Sequence, residues 1–258
     1  MKRLLLLVAL ACAAAGCAST AERDPRDPWE PFNRGVYKFN DKVDTTIAQP
    51  VARSYQKVVP SEVRARVRNF FGNIADVFIG VNNFLQGKFE DCVSDWARFA
   101  FNTTIGLLGI HDIATDMGYE KHNEDFGQTF GRWGAPSGPY LVLPFLGSST
   151  VRDGIGTGVD MYTDPLGEVR PYHTEYALWA LRLTQLRADL LEASRILEEA
   201  ALDKYVFQRD AYLQRRRSLI YDGSPPREKE PEEEPTDKNN KPAAGEKGAE
   251  DDPDKKPR

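Results

Sequence analysis

The stretch Phe70-Phe71-Gly72-Asn73-Ile74-Ala75-Asp76-Val77-Phe78-Ile79-Gly80-Val81-Asn82-Asn83-Phe84-Leu85 decides the fold class. Phe70, Phe71, Ile74, Val77, Phe78, Val81, Phe84 and Leu85 keep the three-to-four-residue spacing of an α-helix, with an unusually aromatic composition. Further along, Thr174 is placed to cap a second helix with apolar positions at Trp179, Leu183, Leu186, Leu190, Ala193 and Leu197. Arg182, Arg187, Glu192 and Glu198 lie between them, so the pattern reads as one continuous apolar stripe. No stretch keeps a sustained strand alternation, and no internal repeat is visible. The expected fold is mostly α, and of the 258 residues roughly 190 between the two ends suffice for a single domain with a real core.

Two stretches do not fit an ordinary soluble bundle. Residues 99–110 (FAFNTTIGLLGI) carry no charge and are apolar on nearly every side, yet are too short to span a bilayer, which takes about 20 residues. Residues 133–151 (WGAPSGPYLVLPFLGSSTV) also lack charge and are long enough. Pro136, Pro139 and Pro144 with Gly134, Gly138 and Gly147 forbid one continuous helix there. Each alone reads as buried core; together they suggest a broken, re-entrant or interfacial segment. Such backbone survives at membrane depth only where protein covers it or where it lines a watery cavity.

The N-terminus states a destination. Lys2 and Arg3 precede an apolar run from Leu4 to Ala15, followed by Gly16-Cys17, the parts of a secretory signal peptide. Ala14-Ala15-Gly16-Cys17 resembles the bacterial lipobox, with Ala14 where Leu is usual, and so residues 1–16 are expected to be removed and Cys17 lipidated. Ala18 follows the cysteine in place of the Asp that in enteric bacteria tends to retain lipoproteins in the inner membrane, which points to the periplasmic face of the outer membrane. More than one acyl chain, at about 0.8 kcal/mol per buried methylene, makes a stable anchor. Residues 17–30 are expected to form the lipidated N-terminus and a polar, proline-stiffened tether. Residues 31–223 are expected to form the folded domain. Residues 224–258, with no large apolar side chain from Pro225 onward, are expected to be disordered.

Chemistry is hard to find. Net charge is −5, which offers no basic field to nucleic acid. His111, His122 and His173 form no HExxH pair, and His111-Asp112 reads better as a helix start with a solvated carboxylate than as a metal site. Ser137 does not sit in GxSxG, and Gly154-Ile155-Gly156-Thr157-Gly158 lacks the spacing of a dinucleotide fingerprint. No Walker motif is present. Once the signal is removed, Cys92 has no disulfide partner other than the modified Cys17 and reads as a partly buried free thiol. No catalytic residue, metal or cofactor is expected.

An ordered series of motifs resembles the VacJ/MlaA lipoprotein family. It begins with Asp27-Pro28-Trp29-Glu30-Pro31-Phe32-Asn33-Arg34 and Tyr37-Lys38-Phe39-Asn40, and continues in Asn69-Phe70-Phe71-Gly72-Asn73 and Asn82-Asn83-Phe84-Leu85-Gln86-Gly87-Lys88. It runs on through Arg98-Phe99-Ala100-Phe101-Asn102-Thr103-Thr104-Ile105-Gly106, Phe126-Gly127-Gln128-Thr129-Phe130-Gly131, Gly138-Pro139-Tyr140-Leu141-Val142-Leu143-Pro144 and Ser149-Thr150-Val151-Arg152-Asp153. It closes with Asp203-Lys204-Tyr205 and Arg209-Asp210-Ala211-Tyr212-Leu213-Gln214-Arg215. The resemblance implies a helical ring lying in the inner leaflet of the outer membrane, with an amphipathic channel through it. It implies that mislocalised outer-leaflet phospholipid passes through that channel to a periplasmic lipid-carrier protein, and that a trimeric porin is the partner at the outer membrane. It further implies a hairpin loop closing the channel near Gly134, Gly138, Pro139 and Tyr140, and a gating motif that includes Asn40; Ala135 and Pro136 depart from the glycine-richer version in some relatives, and Pro136 would stiffen the hinge. Two other classes compete: a structural lipoprotein scaffolding porins without conducting lipid, and an enzyme acting on envelope lipids, which would require a hydrolysis product.

Overall fold

The computed structural model describes residues 24–226, apart from the side chains of 197–200, and residues 24–225 belong to one compact unit. The signal sequence, Cys17 and most of the C-terminal tail lie outside the described residues. Ten α-helices and one β-hairpin are described. Pro31 starts α1 (Glu30–Val43), which continues through a π-helical turn, Asp44–Ala48, into α2 (Gln49–Val58). Pro60 ends that rod, because proline disfavours helical backbone in the residue before it. It also opens α3 (Ser61–Leu85), the helix expected from the aromatic run. Gly87, with φ +81°, turns the chain into α4 (Phe89–Thr104).

The pairs Asn83–Asp95, Asp76–Arg98 and Asn73–Thr103 run in opposite chain directions, so α3 and α4 form an antiparallel helical hairpin. Short helices α5 (Ile113–Asp116) and α6 (Phe126–Arg132) follow, capped by Asp112 and Asp125. Then Tyr140–Leu143 (β1) pairs antiparallel with Gly147–Thr150 (β2), in the register Tyr140 to Thr150 and Leu143 to Gly147. Thr150 caps α7 (Val151–Thr163). The last helices are α8 (Tyr172–Asp189), α9 (Leu191–Ala200) and α10 (Lys204–Ile220), the last capped by Asp203.

Three expectations need correction. The stripe from Trp179 to Leu197 is not one helix: Pro171, not Thr174, stands at the N-cap, and the helix breaks at Leu190. The uncharged stretch 133–151 contains a β-hairpin, whose strands of four residues are too short to display an alternation. And Asp24–Pro28 is not part of a tether. Asp27 is fully buried and accepts from Asn33 Nδ2 at 2.8 Å and from the Tyr205 hydroxyl, while Arg209 reaches Asp24 at 3.0 Å. Those acids supply the counter-charge that Arg209 requires when buried. No helix among the described residues is long and apolar enough to cross a membrane.

Candidate functional site

The distribution of side chains is inverted relative to a soluble bundle. Among the described residues, 11 hydrophobic side chains are buried, against 18 polar or charged ones. Charged side chains are rarely buried unless paired, so the interior has to be a bonded network. On α3 the buried positions Asn73, Asp76, Gly80 and Asn83 recur at three, four and three residues, a polar face of helical period. The facing positions on α4 are Cys92, Asp95, Arg98 and Asn102. Phe84, Phe89, Val93 and Trp96 are exposed, as are Leu183 and Leu186 on α8 and Leu190 at its C-cap. On α8 the buried residues are Gln185 and Ala188, and Leu183 and Leu186 of the apolar stripe face outward.

Arg98 is the centre of the α3–α4 network. Its Nη2 donates to both oxygens of Asp112 at 2.9 and 3.0 Å, and its Nη1 to the Tyr119 carbonyl at 2.6 Å and Thr115 Oγ1 at 3.0 Å. Its Nε lies 3.5 Å from Asp76, which also pairs with Lys121. Asp95 accepts from Asn83 Nδ2 at 2.7 Å and meets His122 Nδ1 at 2.8 Å. Asp112, expected as a solvated carboxylate at a helix start, does cap α5 but is engaged by Arg98 and Asn102. Burial pushes the Asp76 carboxyl up, partly offset by Lys121. A second network joins Arg216 to Asp125 at 2.5 Å and Asp153 at 3.0 Å, with the Tyr212 hydroxyl donating to Asp153 at 2.9 Å.

Asp160 stands beside this second network, accepting from the Phe126 amide at 3.3 Å. Burial, with the Asp125 charge adding to it, pushes its carboxyl up to about 6. A raised carboxylate pKa penalises the folded state, fully above about pH 6 and not at all below the unfolded value of 3.8. Asp160→Asn is therefore expected to raise stability by about 1–2 kcal/mol at pH 7, allowing for partial solvent screening, and to leave it unchanged near pH 3.5. Thermal melts at the two pH values check this.

The hairpin is fastened to α1 by two asparagines seven residues apart, hence on one helix face. Asn33 Nδ2 donates to the Tyr140 carbonyl at 3.0 Å, and Asn33 Oδ1 accepts from the Val142 amide at 2.9 Å. Asn40 repeats the pattern at the tip: Nδ2 donates to the Leu143 carbonyl at 2.9 Å and Oδ1 accepts from the Phe145 amide at 2.8 Å. Phe145 has φ +64°, is exposed, and meets Phe39 edge-on at 5.2 Å. Asn40→Ala is expected to cost about 1–2 kcal/mol through the two lost bonds and to speed hydrogen exchange at the Phe145 amide at least tenfold. NMR exchange rates check it.

The four hinge candidates lie before this tip. Gly134 and Gly138 have φ +91° and +66°, backbone that favours glycine. The Pro139 carbonyl accepts from the Val151 amide at 3.2 Å. Tyr140 is fully buried in the cluster with Val142 and Tyr205, its hydroxyl 2.8 Å from Ser148 Oγ. The structure thus joins Asn40 and Tyr140 through β1, while Gly134 bonds back to the Gly131 carbonyl at the end of α6. Cys17 lies outside the described residues. Asn33 was missed, although its spacing from Asn40 in the quoted motif was a readable signal.

As for chemistry, no set of three or more His, Cys, Asp or Glu side chains among the described residues is placed to hold a metal. Cys92, expected to be partly buried, is fully buried, and burial pushes its thiol up, away from the reactive thiolate. The glycine run 154–158 lies inside α7, where a Cβ on Gly156 would meet the Gly127 amide nitrogen at 2.3 Å. Its role there is the close approach of α6 and α7.

Comparison with known proteins agrees with this architecture. The chain is 35% identical over 210 residues to the intermembrane phospholipid transport system lipoprotein MlaA of Escherichia coli (strain K12), covering 80% of this chain and 81% of that one. It is 32% identical over 194 residues to an uncharacterized protein of Rickettsia prowazekii, covering 74% and 76%. A solved structure reported as "Structural basis for maintenance of bacterial outer membrane lipid asymmetry" shares 32% identity with a TM-score of 0.66, covering 77% of this chain and 100% of that one. The family model described as MlaA lipoprotein matches residues 25–219, nearly the whole described fold, and the chain belongs to that family.

Proposed function

We propose that this chain is an outer-membrane lipoprotein, anchored through Cys17 at the periplasmic face, that removes mislocalised phospholipid from the outer leaflet and so maintains lipid asymmetry. The observation that carries the reading is the inversion: apolar side chains on the outside of the helices and bonded polar groups between them. A helical ring with its apolar rim in one leaflet suits this exterior, and the bonded polar groups hold its helices together around the conduit. The names of the relatives support the cargo, since the Escherichia coli protein is termed an intermembrane phospholipid transport lipoprotein. The lipid then passes to a periplasmic carrier protein, and a trimeric porin holds the lipoprotein in the membrane. No bond is made or broken. Gly134, Gly138, Pro139 and Tyr140 form the base from which the hairpin moves, and Asn40 is the latch on its tip.

The test is the phospholipid content of the outer leaflet in a strain lacking the protein, read by an outer-leaflet-specific acylation or labelling assay. A rise that the wild type restores and Cys17→Ala does not is the expected result. No change, with porins present in normal amounts, would transfer the reading to a porin scaffold without lipid conduction.

A further inference from the structure

The corner between α2, the end of α8 and the start of α9 holds a cavity of about 210 Å³ that the hairpin and the α3–α4 network do not use. Gln49, Arg53 and Gln56, four and three residues apart on α2, face Arg187 of α8 and Ser194 and Arg195 of α9. Most of this wall is fixed by its own bonds. Arg187 donates to Asp44, on the π-helical turn, at 2.6 and 2.8 Å and to Ser194 Oγ at 3.2 Å. Gln56 donates to the Ala188 carbonyl at 2.8 Å, and Gln49 to Asp44 at 3.0 Å. Glu192 is engaged by Arg195 at 2.6 Å.

Arg53 differs from the other two guanidiniums. It donates from one Nη2 to Gln49 Oε1 at 2.9 Å, and no carboxylate among the described residues forms an ion pair with it. Arg187 is bonded to Asp44 and Arg195 to Glu192, whereas Arg53, exposed at the cavity wall and within the electrostatic reach of Asp44, keeps guanidinium donors that Gln49 does not take. A guanidinium in that state is matched by a tetrahedral oxyanion, which it binds through two parallel hydrogen bonds. The cavity is smaller than the about 300 Å³ at which pockets begin to hold whole small molecules, so it fits a headgroup with its acyl chains left outside. Leu191 supplies an apolar wall, and Leu186 and Leu190 stand exposed at the end of α8.

We propose that this corner is a binding site for a phosphate ester, with Arg53 as its principal ligand. The phosphate of a phospholipid headgroup and free phosphate share the chemistry; the choice of lipid rests on the conduit reading above, while the site itself does not.

The experiment uses the purified full chain in a phosphate-free detergent, titrated calorimetrically with dihexanoylphosphatidylglycerol, inorganic phosphate and dioctanoylglycerol. The expected result is saturable binding of the phospholipid, weakened about tenfold in Arg53→Gln by loss of a charged hydrogen bond and largely kept in Arg53→Lys, with no binding of the diacylglycerol at this site. Equal affinity for inorganic phosphate, lost in the same variant, would support the site with free phosphate as its ligand. Binding of neither anion, or binding that Arg53→Gln leaves unchanged while its melting curve matches the wild type, would overturn it. Either outcome leaves the leaflet assay intact as the separate test of lipid removal.

Discussion

Replacing Arg98 with methionine is expected to lower the unfolding free energy by about 3–5 kcal/mol, the range for removing one partner of a buried ion pair. The side chain is 1% exposed and satisfies Asp112, the Tyr119 carbonyl and Thr115 while facing Asp76. Methionine fills a similar volume but leaves Asp76, itself 1% exposed, without its arginine and takes from Asp112, the Tyr119 carbonyl and Thr115 their charged donor. For a domain of this size the loss corresponds to a fall in melting temperature of about 10 °C, readable by circular dichroism in detergent. Arg98→Lys is expected to recover less than half of it, because a single ammonium nitrogen cannot replace both Nη2 at Asp112 and Nη1 at the Tyr119 carbonyl. The α3–α4 hairpin has little apolar substitute for this network, since its inward face is Asn73, Asp76, Asn83, Asp95 and Asn102. A loss below about 1 kcal/mol, the size of an ordinary surface change, would mean that the outward apolar face alone holds the two helices together.

Helices were legible because their period survives whichever way they face. Phe70 to Leu85 reads as a helix from its aromatics and is one, within α3. What periodicity does not carry is which face turns inward. The stripe at Leu183, Leu186 and Leu190 has helical spacing whether it is covered or not, and in the structure these leucines are exposed. The signal for the true interior was present in Asn73, Asp76, Gly80 and Asn83, a polar set at the same period as the apolar one. The hairpin was less accessible, for two physical reasons. Its strands are four residues long, and their partner is a helix, reached through the side-chain amides of Asn33 and Asn40, which no strand pattern encodes. Asp27 was placed in the tether because its partners, Tyr205 and Arg209, are about 180 residues away in sequence.

Converting Leu107 and Leu108 to aspartate together is expected to leave the fold standing and to reduce membrane association at least 100-fold. The two leucines are 63% and 66% exposed and flanked by the exposed Ile105 and Ile110. Both have left-handed backbone, φ +55° and +59°, which costs a residue with a Cβ about 1–2 kcal/mol. The glycines on either side face inward instead: a Cβ on Gly109 would meet Asn73 Cβ at 2.4 Å, and one on Gly106 the His111 carbonyl oxygen at 2.2 Å. The loop is therefore held to the α3–α4 hairpin by its glycines while strained leucines project away from the protein. Burial of each leucine in acyl chains gains about 1.5–3 kcal/mol, and an aspartate at that depth costs more still. Aspartate also accepts left-handed backbone better than leucine does, so the melting temperature in detergent should hold or rise slightly. The measurement is partition onto vesicles of outer-membrane-like composition, with Cys17→Ala in both proteins so that no acyl anchor masks the effect. Equal partition of the two would show that this loop lies outside the lipid, and the apolar rim would then have to be carried by the exposed faces of α4 and α8.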